Sequence, residues 1–143
     1  MKTNVLQYAE LGAWTNSPDA TAIEFLDQSC SFRELQSRSL QVAAAICRCS
    51  TAVNKPVCVY LPRGIETIAA DLGILASRNC YSNLDVRSPL PRTLAILKNL
   101  APHVIITSKN LAESLLALQI PSSSLLFIED CLNSEATTDD IAE

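Results

Sequence analysis

Residues 56–76 read PVCVYLPRGIETIAADLGILA. The opening run, Pro56 to Leu61, is continuously apolar and of strand length, the mark of a strand covered on both faces. Pro62-Arg63-Gly64 turns the chain. Ile65, Ile68, Ala69, Leu72 and Ala76 then recur at helical spacing, and Ile74 and Leu75 widen the stripe. A helix with so wide a stripe is expected to be buried on more than one side. A strand covered on both faces, feeding directly into such a helix, is half of a strand–helix–strand crossover, the unit from which parallel sheets are made.

Working outward, the same alternation continues. Toward the amino terminus, residues 4–14 place Val5, Leu6, Ala9 and Ala13 at helical spacing, and Asn16-Ser17-Pro18-Asp19 breaks that helix. Thr21 to Leu26 reads as a strand, Asp27-Gln28-Ser29 as a turn, and Cys30 to Phe32 as a second short strand. Ser31 and Glu34 form an S-x-x-E capping box, in which each side chain satisfies a backbone amide orphaned at a helix start. Leu35, Val42, Ala43 and Ile46 lie on one face of the helix that follows, which is expected to end near Cys49. Toward the carboxyl terminus, Asn79 to Leu84 is a short strand and Asp85 to Ser88 a loop. A helix begins near Pro89–Pro91, where proline is welcome in the first turn, and runs to about Leu100. Val104 to Thr107 is strand, Asn110 to Gln119 helix, and Leu125 to Ile128 strand. The fold class is therefore α/β: three layers, a mostly parallel sheet flanked by helices, joined by right-handed crossovers.

The 143 residues suit one domain. With 48% hydrophobic and 18% charged residues the chain is too apolar for disorder. It lacks the run of about 18 apolar residues that a spanning helix needs. Its start, Met1-Lys2-Thr3-Asn4, opens a mixed polar segment rather than a secretory signal, so a cytoplasmic location is expected. The net charge of -4 is unevenly spread: Glu129, Asp130, Glu135, Asp139, Asp140 and Glu143 close the chain with no base among them. The body ahead of them is nearly neutral and has no basic stripe, which argues against nucleic acid as a partner. Residues 1–130 are thus expected to form the α/β unit, and residues 131–143 an acidic, solvated and mobile tail.

Several chemistries are excluded by what is missing. Gly12, Gly64 and Gly73 are the only glycines and stand far apart. A phosphate-cradling loop needs several close together, so that backbone amides approach the oxygens without Cβ clashes. Six cysteines (Cys30, Cys47, Cys49, Cys58, Cys80, Cys131) contain no C-x-x-C pair, and His103 is the sole histidine, so zinc spacings are absent. The cysteines read as free, buried thiols, and His103, at the start of a strand, as a structural histidine. No spacing argues for a catalytic triad or a carboxylate pair, and no residue is assigned a catalytic or metal-binding role.

Two stretches carry a family resemblance. Cys30-Ser31-Phe32-Arg33-Glu34-Leu35 resembles the first core motif of adenylate-forming enzymes, L-[TS]-Y-x-E-L, with Cys30 in place of the leading leucine. Leu75 to Asp85, LASRNCYSNLD, resembles the second, L-K-A-G-x-A-Y-V-P-L-D, keeping Leu75, Tyr81, Leu84 and Asp85. The segment between them and the run from Ser88 to Thr107 are similar to the family's strand, turn and helix pattern. The resemblance covers roughly residues 4–129. Three departures stand out: Ala76 for lysine, Arg78 for glycine and Asn83 for proline. The change at Arg78 sets a bulky cation where a small residue is expected to pack. These departures are closer to a specialised peptide-synthetase or acyl-ligase relative than to a housekeeping acyl-CoA synthetase.

The resemblance implies the amino-terminal portion of an AMP-forming ligase, the superfamily of acyl-CoA synthetases, luciferases and peptide-synthetase adenylation domains. Such enzymes join a carboxylate to ATP as an acyl-adenylate, release pyrophosphate and pass the acyl group to a thiol. The family's glycine-rich phosphate loop follows the segment seen here. Ile105-Ile106-Thr107-Ser108-Lys109 has no glycine and does not replace it. ATP and magnesium are therefore expected only in a complete enzyme. The 143 residues are expected to be inactive alone, as a fragment or as one half of a split enzyme. The partners expected are the remaining subdomains or a complementing chain, with CoA or a carrier protein as thiol. Arg87, in the loop beyond the Leu84-Asp85 strand end, is the one candidate binding residue, for a thiol-cofactor phosphate. The rival from another class is a non-catalytic, doubly wound α/β module for protein interaction or a small ligand.

Overall fold

In a computed structural model, which describes residues 5–134, the chain opens with helices α1 (Val5–Leu11) and α2 (Ala13–Asn16). The single amphipathic helix expected over 4–14 is interrupted at Gly12. Strands β1 (Thr21–Phe25) and β2 (Gln28–Ser31) pair antiparallel as a hairpin separate from the main sheet. Then come α3 (Phe32–Cys49), β3 (Pro56–Tyr60), α4 (Ile65–Ala76), β4 (Cys80–Asn83) and α5 (Leu90–Leu100). The chain continues through β5 (Val104–Thr107), α6 (Ala112–Ala117), a single 3-10 turn at Ser122–Ser124, β6 (Leu125–Phe127) and α7 (Ile128–Leu132).

Four of the strands form one all-parallel sheet in the order β4-β3-β5-β6. The apolar run at 56–61 takes an inner position because its side chains have a core to enter on both faces. Val57 and Val59 point into a cluster with Val42, Ile46, Ile74 and Ile128, from α3, α4 and α7. Cys58 and Tyr60 point the other way, toward Leu97 of α5 and Leu115 of α6. These are the expected three layers: α3, α4 and α7 on one face, α5 and α6 on the other. The helix joining β3 to β4 and those joining β4 to β5 and β5 to β6 lie on opposite faces. Right-handed crossovers demand this when the chain reverses its direction across a sheet. A third cluster, Cys30, Leu35, Ile65 and Ala69, seats the hairpin against α3 and α4.

Close approach of α3 and α4 depends on Gly73. A Cβ there would stand 2.6 Å from the Val42 Cβ and 2.7 Å from the Ser39 carbonyl oxygen, so no larger residue fits without a shift of the helix pair.

Two expectations are corrected. Arg78 is exposed rather than packed in the interior. Its constraint is backbone conformation, φ 69°, in the left-handed region that favours glycine. It ends α4 in a Schellman arrangement, with Arg78 N donating to Leu75 O at 3.0 Å and Asn79 N to Ile74 O at 3.1 Å. The acidic tail expected over 131–143 starts inside α7, where Cys131 is 1% exposed and Leu132 packs on the core. Of that tail, residues 135–143 lie outside the described residues.

Candidate functional site

In open α/β sheets ligands bind beyond the carboxyl ends of the strands, where neighbouring strands send their connections to opposite faces. Here that point lies between β3 and β5. Pro62–Gly64 leads from β3 to α4 on one face, and Ser108–Leu111 leads from β5 to α6 on the other. The two strand ends are tied by buried Thr107, whose Oγ1 donates to Tyr60 O at 2.8 Å. Thr67 Oγ1 donates to Pro62 O at 2.7 Å and closes the turn into α4.

Two grooves flank that turn, and Phe25, Pro62 and Arg63 line both. One, of about 720 Å³, runs past Arg38, Gln41 and Leu132. The other, of about 670 Å³, runs past Thr67, Leu84, Asp85 and Arg87 along the end of β4. Arg63, read from sequence as a surface turn residue, is exposed and borders both. The signal for its place was its position immediately after the carboxyl end of an inner strand.

Arg87 lies in the second groove, in the loop where sequence placed it, but it is already engaged. Its backbone N–H donates to Asp85 Oδ1 at 2.9 Å, and its Nε and Nη2 reach Oδ1 at 3.2 Å and Oδ2 at 3.3 Å. These bonds hold the Asp85 carboxyl below the usual carboxylate range, with the Arg63 charge adding to the same effect, and raise the Arg87 guanidinium in turn. The Arg87 side chain is 80% exposed, so the pair is a solvated one.

The loop after β5 has no glycine, and carboxylates occupy both donors of its Lys109. Lys109 N donates to the Glu129 carboxylate oxygens at 3.1 and 3.3 Å, and Lys109 Nζ pairs with Asp130 Oδ1 at 3.0 Å. Sequence reasoning counted Glu129 and Asp130 only among the acids that close the chain and missed this role. The signal was their position directly after β6, whose carboxyl end lies beside that of β5.

Asp71 sits on α4 over the edge strand. Asn83 Nδ2 donates to its Oδ2 at 3.0 Å, while Oδ1 is buried without a hydrogen-bond partner. Burial pushes this carboxyl above the aspartate range against the opposing pull of Asn83. Tyr81, beside it on β4, is 46% exposed, and Ser31 with Glu34 forms the expected capping box at the start of α3.

All six cysteines are free. Only three match the expected burial: Cys30, Cys58 and Cys131 are buried, and burial pushes the Cys58 thiol up to about 11 and the Cys131 thiol up to about 12. Cys47 is half-buried, and Cys49 and Cys80 are exposed, because each sits at the margin of its element. Both ring nitrogens of His103 are buried without a hydrogen-bond partner among the described residues. Those residues contain no group of three or more His, Cys, Asp or Glu side chains placed to hold a metal ion. No helix among them is long and apolar enough to cross a membrane.

Comparison with known proteins gives these features a context. A family model described as AMP-binding enzyme matches residues 12–142. Nonribosomal peptide synthetase kk1B of Curvularia clavata is 34% identical over 90 residues, which are 63% of this chain and 1% of that one. Surfactin synthase subunit 3 of Bacillus subtilis (strain 168) is 27% identical over 142 residues, 99% of this chain and 11% of that one. The chain therefore spans a small part of these curated relatives. Among solved structures, the nonribosomal peptide synthetase FmoA3 (S1046A) bound to alpha-methyl-L-serine-AMP superposes with a TM-score of 0.81 at 22% identity, covering 97% of this chain and 15% of that one. ATP-bound MatB from Rhodopseudomonas palustris gives 0.76 at 17% identity, over 94% and 29%. At these identities the structural likeness shows the fold: a parallel sheet flanked by helices, as in adenylate-forming ligase subdomains.

Proposed function

The chain belongs to the AMP-binding enzyme family, and on that premise we propose that it forms the first subdomain of an AMP-forming ligase, one that activates a carboxylic or amino acid as its acyl-adenylate and hands it to the thiol of CoA or a carrier protein. The likeness to peptide-synthetase relatives favours an amino acid and a carrier protein. In this reading the remaining domains of the same polypeptide, or a complementing chain, supply the acyl pocket and the phosphate loop. ATP and magnesium act in that completed enzyme, in the cytoplasm, and these residues form one wall of it.

One observation carries the proposal that these residues alone do not adenylate. The carboxyl edge of the sheet is built as a ligand crevice, yet its loop after β5 spends the Lys109 amide and ammonium on Glu129 and Asp130. In-line attack on an α-phosphate needs free amides and cations around the phosphates. The test is ATP–pyrophosphate exchange, run on the 143 residues and on the polypeptide extended through a glycine-rich loop. No labelled pyrophosphate should enter ATP with the short chain, and exchange should appear with the extended one. Exchange by the short chain unaided overturns the reading.

Arg87 is proposed to receive the phosphate of the thiol substrate by exchanging Asp85 for it. In the complete enzyme, Arg87→Ala should raise the thiol KM several-fold and leave adenylate formation unchanged. An unaltered thiol KM removes Arg87 from the site.

A further inference from the structure

On α3, Gln41, Ala45 and Cys49 follow one another at intervals of four residues and so form a single stripe along the helix. That stripe faces α7. Gln41 Nε2 donates to Leu132 O at 3.1 Å and to Ser134 O at 2.9 Å, and Ala45 shares a core cluster with Cys131. One residue before Cys49, Arg48 Nη1 reaches Ser134 Oγ at 3.5 Å, and that hydroxyl donates to Cys131 O at 2.9 Å. Cys49 is the next position on the stripe, at the exposed end of α3, and Cys131 is the buried thiol of α7. Of the charged groups that raise the Cys131 thiol, Cys49 acts more strongly than Asp130, the residue next to Cys131 in the chain.

The other cysteines are placed differently. Cys47 is two residues from Cys49, a spacing that points away from it on a helix. Cys58 belongs to the cluster on the opposite face of the sheet, and Cys30 to the hairpin cluster.

We propose that Cys49 and Cys131 are an oxidisable pair, which a small-molecule disulfide such as oxidised glutathione converts into an intramolecular disulfide fastening α7 to the end of α3. Cys49, the accessible thiol, reacts first. Its thiolate attacks one sulfur of oxidised glutathione, breaking that S–S bond, expelling one glutathione thiolate and leaving a mixed disulfide. The Cys131 sulfur then attacks the Cys49 sulfur and gives up its proton, which the second departing glutathione thiolate accepts. Two protein thiols are oxidised and one glutathione disulfide is reduced to two thiols. Burial of Cys131 disfavours its thiolate, so this second step is the slow one.

The bond closes a loop from residue 49 to residue 131, which restricts the unfolded chain. The experiment treats the 143-residue protein, dilute and at pH 8, with oxidised glutathione. Unreacted thiols are blocked in denaturant, and the disulfides are mapped by tandem mass spectrometry. The expected product is a monomer lighter by two hydrogens, carrying a Cys49–Cys131 bond, with Tm raised by about 5–10 °C and restored by dithiothreitol. Cys47→Ser should leave this result intact, and Cys49→Ser should abolish both the bond and the Tm shift. A Cys49–glutathione adduct beside a free Cys131, a Cys47–Cys49 bond, a bond between two chains, or no reaction overturns the proposal.

Discussion

Two side chains show how far a single position departs from what its neighbours ask of it. Arg78 holds φ 69° where the resembling motif has glycine, and its side chain is exposed. A left-handed residue other than glycine costs about 1–2 kcal/mol, against which glycine's greater freedom in the unfolded chain takes back a part. Arg78→Gly should therefore stabilise the protein by about 0.5–1 kcal/mol, seen as a higher urea midpoint at unchanged slope; a lower midpoint would show that the arginine holds something the backbone does not reveal. Asp71 has the opposite problem, a carboxyl held above its ordinary range by burial. For a group so raised, the stability of the protonated form is full below the unfolded value of 3.8 and is lost as pH rises through the folded value. Asp71→Asn keeps an oxygen for Asn83 Nδ2 to bond and removes the buried charge. The variant should resist urea better than the parent at pH 7, with the difference closing below pH 4 or so. An equal difference at both pH values would mean that charge is not the cause. Neither feature was visible in the sequence: the departure at residue 78 was noted, but its reason is a dihedral angle, and the burial of Asp71 depends on β4 lying beneath α4.

Elements announced by periodicity and capping were legible; those made by packing were not. The capping box at α3 reads directly from Ser31 and Glu34, and the structure forms both of its bonds, Glu34 N to Ser31 Oγ at 3.1 Å and Ser31 N to Glu34 Oε2 at 3.4 Å. The apolar runs at β3 and β5 likewise name themselves, because burial on both faces leaves no polar alternation. Helix α7 was missed because its five residues, IEDCL, are too few to show a period, and the boundary of the expected acidic tail fell inside it. Glu129 and Asp130 fall in its first turn, where carboxylates suit the helix dipole, while Ile128 and Cys131 turn inward. Ile128 is completely buried among residues of α3, α4, β3 and β5. Ile128→Ala should cost about 2–4 kcal/mol, measured by urea unfolding, whereas a residue in a solvated tail would cost under about 0.5 kcal/mol. The same packing explains why Glu129 and Asp130 were not foreseen as partners of Lys109: nothing local places β6 beside β5.

Layering sets where the molecule holds together most tightly, and hence where its candidate site can yield. A mostly parallel sheet with helices on both faces follows from alternating apolar runs and amphipathic stretches. The order β4-β3-β5-β6 does not, since it depends on which face each crossover takes. That order puts β3 and β5 together at the centre, sealed on one side by α3, α4 and α7 and on the other by α5 and α6. The crevice opens at the carboxyl ends of these two strands, so the groove-bordering turn at Pro62–Gly64 and the Lys109 loop hang from strands covered on both faces. By contrast α1 buries none of its residues, and Val5, Tyr8 and Leu11 are each more than half exposed. Local opening free energies scale with buried apolar contact and hydrogen bonds closed off from water. Amide hydrogen exchange should therefore be slowest at Cys58–Tyr60 and Ile105–Thr107, faster along the edge strand β4, and fastest in α1. Exchange in α1 as slow as in β3 would mean that the amino-terminal helix is part of the cooperative core; early exchange in β3 or β5 would mean that the crevice rests on a labile base, and that its loops are not held by these residues alone.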